Sequence, residues 1–121
     1  MKIHEYQAMG LFAKAGLPVS LGEVAVTLEE AKAVANKIGY PVVLKSQVLI
    51  GGRGKAGGIK VVKDQKELEE VFPKIRSLVI KGYPVERVYI VQAISIEKEF
   101  YLAITVDQAH DDVVLIASSA L

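Results

Sequence analysis

Five of the chain's ten glycines fall within eight consecutive residues, Gly51-Gly52-Arg53-Gly54-Lys55-Ala56-Gly57-Gly58. A stretch so poor in side chains cannot pack as a helix or strand interior, so it must be a loop, and its flanks fix what kind. Upstream, residues 41–50 read as a largely buried strand, almost continuously aliphatic with Lys45 in the middle. Downstream, residues 59–63 alternate and are β-branched, which predicts a second strand. The central unit is therefore strand, glycine loop, strand.

Punctuation elsewhere is clear. Ala8, Leu11, Phe12 and Ala15 form a helical stripe over 4–15, ended by Gly16 and Pro18. A short strand is predicted at 21–26. Thr27 and Glu30 then stand at capping-box spacing before a helix over 28–38, and Asp64 and Glu67 do the same before a third stripe, Leu68 to Val79. Pro73 lies inside that stripe and is expected to kink or divide it near Phe72. A turn at 81–84 leads to predicted strands at 88–93, 97–106 and 113–118. Helices mixed with sequence-adjacent strands give an α+β fold with a mixed or antiparallel sheet.

With 121 residues the chain is one small domain or a piece of a larger one, and 51% hydrophobic residues are enough for a core. The absence of cysteine excludes disulfides, thiolate metal sites and cysteine nucleophiles. Net charge is +1, too balanced for a general nucleic-acid or membrane-surface binder. The charge is nonetheless uneven. Residues 31–63 contain seven basic and no acidic residues, so this block is +7 and the remainder −6. No apolar run approaches a bilayer span and no signal-peptide core follows Met1, so the expected location is cytoplasmic.

Gly52-x-Gly54-x-x-Gly57 matches a dinucleotide-binding spacing, but that motif needs a helix opening directly after the loop, and a strand follows here. A Walker A loop needs Gly-Lys-Ser or Gly-Lys-Thr, and neither occurs. What remains is either a mobile surface turn or a glycine flap whose backbone N–H groups and cations, Arg53 and Lys55, fold over phosphates. A lysine within an apolar strand needs a counter-charge, for which phosphate is one candidate, unless it snorkels from an edge. His4 and His110 are read as surface residues, and Asp107, Asp111 and Asp112 as turn formers.

These residues carry a family resemblance. His4-Glu5-Tyr6-Gln7-Ala8, Gly16-Leu17-Pro18, Lys45-x-Gln47-Val48, the string from Gly51 to Gly58, and Lys98-Glu99-x-Tyr101-Leu102 resemble the N-terminal region of β subunits of the ADP-forming succinate–CoA ligase (succinyl-CoA synthetase) family, which are ATP-grasp proteins. The resemblance covers nearly the whole chain and implies the N-terminal portion of an ATP-grasp domain. It implies that Lys45 contacts nucleotide phosphate, that Gly52, Arg53 and Gly54 belong to the flap over ATP, and that Glu99 is an acidic nucleotide-site residue. Residues Val91-Gln92-Ala93-Ile94 match the hinge whose backbone reads adenine, although the family often has Glu where Gln92 stands.

It further implies magnesium, held by residues outside this chain, and an α subunit carrying a phosphohistidine through which succinate, CoA and ATP react. Related malate–CoA ligase or citrate-lyase-type subunits share the pattern, and a non-catalytic nucleotide- or RNA-binding module is the rival class. RNA ranks lower because the loop lacks interleaved aromatics for base stacking. The apolar end at Ser119-Ala120-Leu121 suggests truncation, and the chain alone is expected not to turn over.

Overall fold

The computed structural model describes residues 1–119; Ala120 and Leu121, part of the apolar end noted above, lie outside the described residues. In chain order the elements are α1 (Glu5–Lys14), β1 (Gly22–Ala25), α2 (Leu28–Ile38), β2 (Val42–Ser46), β3 (Ile59–Val62) and α3 (Gln65–Arg76). The two-residue strands β4 (Val79–Ile80) and β5 (Tyr83–Pro84) follow, then β6 (Val88–Gln92), β7 (Tyr101–Asp107) and β8 (Asp112–Ser118).

Strands β1, β6, β2 and β3 form one sheet in that order, with every pairing antiparallel. Alternation along β2 decides which side of the sheet does what. Val42, Leu44 and Ser46 are buried on the side that α2 and α3 cover, together with Val62, Ile90, Val88 and the helix residues Ala31, Ala35, Leu68, Phe72 and Ile75. Val43 and Lys45 face the other way, opposite Val91 and Tyr89 of β6. The strand is largely buried, as expected, but α2 and α3 leave one of its faces uncovered, and that is where a lysine can stand.

Both helix starts are capped as their spacing predicts. The Thr27 hydroxyl accepts from the Glu30 N–H at 3.2 Å, and the Asp64 carboxylate accepts from the Glu67 N–H at 2.8 Å. Pro73, however, neither divides nor ends α3 near Phe72. Its missing N–H deprives the carbonyl of Glu69, four residues earlier, of a donor; Pro73 and Glu69 are both exposed, and the helix runs on to Arg76. The stripe beyond it leaves the helix: Val79 and Ile80 pair with Pro84 and Tyr83 around Lys81 and Gly82, both at positive φ, as a tight hairpin turn requires.

Two strand boundaries also move. β2 stops at Ser46 because the next residues turn away: Ser46 N–H donates to Gly58 O at 2.8 Å and Gln47 N–H to Arg87 O at 3.0 Å. β7 begins at Tyr101, not at Glu97, because its partner β8 reaches only as far as Ser118, opposite Tyr101. The β7–β8 hairpin forms a separate two-stranded sheet with Leu102, Ile104 and Leu115 exposed. Among the described residues, no helix is long and apolar enough to cross a membrane.

Candidate functional site

The open face of the sheet, α1 and the segment after β6 enclose a cavity of about 480 Å³. Val43, Val61, Val91 and Met9 give it apolar walls; Lys45 and Glu5 stand at one end, and Gln92, Ala93 and Ile94 line another part. An apolar slot with a few charged groups is the ordinary form of a small-molecule site. The structure thus brings Lys45, Gln92 and Ile94 of the expected site to one concavity, whereas Gly52, Arg53 and Gly54 do not line it.

At the end of β6, Gln92 N–H donates to Leu21 O at 2.9 Å and Ala93 N–H to Pro41 O at 3.2 Å. The Ile94 N–H has no protein acceptor among the described residues, which leaves a donor at the cavity's edge.

The glycine loop folds on itself. Gly58 N–H donates to Arg53 O at 2.7 Å and Ala56 N–H to Gly52 O at 3.1 Å, whereas the N–H groups of residues 51–55 have no protein acceptor among the described residues. Gly52 sits at φ +87°, a region L side chains rarely adopt, so this turn needs glycine there. Successive uncommitted amides in such a turn form an anion-binding concavity.

Arg53 does not extend from the loop as a free cation. Its guanidinium turns inward, donating to Ser46 O at 3.0 Å and to Glu5 Oε1 at 2.8 Å. Glu5, the first residue of α1, also accepts from Lys45 Nζ at 3.2 Å through Oε2 and from Gln47 Nε2 at 3.2 Å through Oε1. Gln47 Oε1 in turn accepts the Tyr6 N–H at 3.0 Å, which fixes the start of the helix. The three charged side chains are 20–29% exposed, so their attraction is less screened than on an open surface. Burial acts to raise the Glu5 pKa, but the Arg53 hydrogen bond, the Lys45 and Arg53 charges and the Gln47 hydrogen bond outweigh it and hold the carboxyl below its usual value.

Sequence reasoning demanded a counter-charge for Lys45 but did not find Glu5. The signal was present as the acidic residue of His4-Glu5-Tyr6-Gln7-Ala8, at a helix start where the dipole also favours an anion. A depressed carboxyl stabilises the fold fully above the unfolded pKa and loses that contribution as pH falls through the folded one. Wild type is therefore expected to lose more thermal stability than Glu5→Gln as pH drops from above the ordinary carboxyl pKa of 4.5 to below the lowered value in the fold, so that the two melting curves converge in acid. Parallel curves would show that the carboxylate charge is not what couples α1 to the loop.

The basic block also changes meaning in three dimensions. Lys45 and Arg53 pair with Glu5, Lys37 with Glu23, and Lys32 with Glu29 and Glu69, all acids from outside the block, so the run of like charge is not an unopposed patch. Glu99 lies exposed in the segment before β7 and does not line the cavity. His4 is half-buried instead of at the surface, stacked on Tyr6 with centroids 5.8 Å apart. His110 Nδ1 lies 2.8 Å from Asp107 Oδ2 within the polar turn. Among the described residues, no group of three or more His, Asp or Glu side chains could hold a metal ion.

Comparison with known proteins gives the family of the chain. The sequence profile of the ATP-grasp domain family matches residues 2–120. The β subunit of ADP-forming succinate–CoA ligase from Aquifex aeolicus is 50% identical over 127 residues, covering 99% of this chain and 33% of the relative; that from Pyrobaculum arsenaticum is 45% identical over 118 residues. The chain thus spans about a third of the length of these relatives. Among solved structures, a dinucleotide-forming acetyl-coenzyme A synthetase from Ca. Korarchaeum cryptofilum, in complex with coenzyme A and Ca-AMPCP, superposes with a TM-score of 0.85 at 21% identity, over 97% of this chain and 53% of that one. A biotin carboxylase–ATP complex from Campylobacter jejuni gives 0.69 at 28% identity, over 90% of this chain and 24% of that one.

Proposed function

The chain belongs to the ATP-grasp family, and we propose that it forms the phosphate-and-adenine half of an ATP site in the β subunit of an ADP-forming succinate–CoA ligase. The observation that carries the nucleotide reading is the single cavity shared by Lys45 and the hinge residues Gln92 and Ile94. Adenine would lie between Val43, Val61 and Val91 with its edge toward the Ile94 N–H. The polyphosphate would run to Lys45 and the uncommitted amides of residues 51–55, with Gly52 and Gly54 allowing close approach and Arg53 tethering the loop. Glu99 is retained as a candidate that reaches the site only if the segment before β7 folds inward.

The ligase assignment rests on the 50% identity to a named β subunit. On that reading the reaction is succinate + CoA + ATP giving succinyl-CoA + ADP + phosphate, through a phosphohistidine on an α subunit. Magnesium would be held by residues other than those described. The contribution of this chain is positioning the triphosphate and neutralising charge on the transferring phosphoryl group. Acyl choice, succinate against malate or citrate, is made by none of the groups lining this cavity.

Titrating the 121-residue chain in parallel with ATP and with single-stranded RNA at moderate salt tests the nucleotide reading. Saturable ATP binding with only weak, salt-sensitive RNA binding is expected. The reverse order would transfer the assignment to the RNA-binding alternative.

A further inference from the structure

Lys45 is the cation best placed to receive a phosphate, yet its ammonium is already engaged. Glu5 Oε2 accepts from it at 3.2 Å, at the charged end of the cavity, while Glu5 Oε1 holds Arg53 at 2.8 Å and Gln47 at 3.2 Å. One carboxylate thus joins the helix start, the strand lysine and the glycine loop, using its two oxygens for different tasks. An arriving phosphate is chemically the same kind of acceptor as Glu5 and carries the same sign of charge. Both cannot hold Lys45 at full strength.

We propose that Glu5 is a positioning residue that stands in for the nucleotide's phosphate: ATP enters by taking Lys45 from Glu5 Oε2, while Arg53 stays on Glu5 Oε1 and keeps the loop anchored to α1. The inference rests on the nucleotide reading above and deepens it. Without nucleotide, the carboxylate offsets one of the two positive charges and orders both cations, which would otherwise stand unpaired and partly buried at a cost. The same neutralisation makes Glu5 a competitor, so the carboxylate should stabilise the fold and weaken nucleotide binding together. A purely structural anchor would instead support both.

The test is the affinity of the 121-residue chain for ATP, by calorimetry, beside its thermal midpoint. Glu5→Gln retains the size of the side chain and one acceptor but removes the charge. Tighter ATP binding by about tenfold, equivalent to about 1.4 kcal/mol, with a lower thermal midpoint is expected. On a Lys45→Ala background the same substitution should change affinity less than about twofold, because the exchange runs through Lys45. Equal or weaker binding by Glu5→Gln overturns the exchange, and so does a tenfold gain that persists without Lys45.

Should Glu5→Gln fail to fold, the wild-type chain decides by carbon-13 NMR of the Glu5 carboxyl. Its titration midpoint should rise on saturation with ATP, and an unmoved midpoint overturns the proposal. If wild type shows no saturable ATP binding, the nucleotide reading fails and takes this inference with it. Binding by wild type without the predicted sign in the variant removes the inference alone.

Discussion

Lys45→Ala is expected to weaken ATP binding by the chain about tenfold to a hundredfold while moving the thermal midpoint by only a few degrees. The first figure follows from a charge-assisted hydrogen bond of ~1.5–3 kcal/mol to a phosphate, lost without replacement. The second follows from what Lys45 does in the unliganded fold. Its ion pair with Glu5 is 29% exposed on the lysine side, and Glu5 keeps Arg53 and Gln47 when it goes. Its neighbours in β2 belong to the ladder with β3 and β6 and to the core on the opposite face, neither of which needs the ammonium. Calorimetric titration and a melting curve on one preparation separate the two effects. On the ligase reading, the same substitution in the whole subunit with its α partner lowers ATP-dependent phosphorylation of that partner far more than succinate affinity. An unaltered ATP affinity would leave the cavity without its cation and the assignment without its carrier.

How much of this was legible in the sequence depends on the range of the interaction. Helix starts were readable because Thr27 with Glu30, and Asp64 with Glu67, settle their hydrogen bonds within three residues. The strand, glycine loop, strand unit was readable because glycine density and β-branching act locally. Pro73 reads as a kink or a division, yet it does not divide the helix: the carbonyl it deprives of a donor belongs to Glu69, on the exposed side with Pro73 itself.

The extent of β2 and β7 was not legible, since strand length is decided by how far a distant partner runs. Glu5 was invisible as a partner for the same reason: 40 residues separate it from Lys45 and 48 from Arg53, so only the fold brings them together. Arg53 shows the complementary error. A cation in a glycine loop reads as a hand held out to a ligand, but a long side chain can turn back, and here a carboxylate and a main-chain carbonyl give it reason to. The basic block of residues 31–63 likewise lost much of its one-sidedness once acids from other segments were folded against four of its seven cations, Lys32, Lys37, Lys45 and Arg53.

Gly58→Ala is expected to lower stability by ~1–3 kcal/mol and to loosen the loop that precedes it. A Cβ at this position would strike Ser46 Oγ and lie 3.0 Å from Ile80 Cδ1 and 3.1 Å from Arg53 O. The residue is buried, and its backbone is committed at both ends: Gly58 N–H to Arg53 O, Gly58 O to Ser46 N–H. Neither β2 nor the loop can give way without breaking one of these. The worst contact is with a hydroxyl that is itself buried and has no hydrogen-bond partner among the described residues, so Ser46→Ala removes the obstacle at little cost. The double variant Ser46→Ala with Gly58→Ala should therefore be more stable than Gly58→Ala alone, a coupling that a melting-curve cycle reads directly. Strict additivity would mean that the loop is displaced as a body instead of being wedged at Ser46. Because the flap's uncommitted amides end only three residues before Gly58, ATP affinity should fall in Gly58→Ala and recover with stability in the pair. Recovery of stability without recovery of affinity would separate the packing under the loop from its role as an anion cradle.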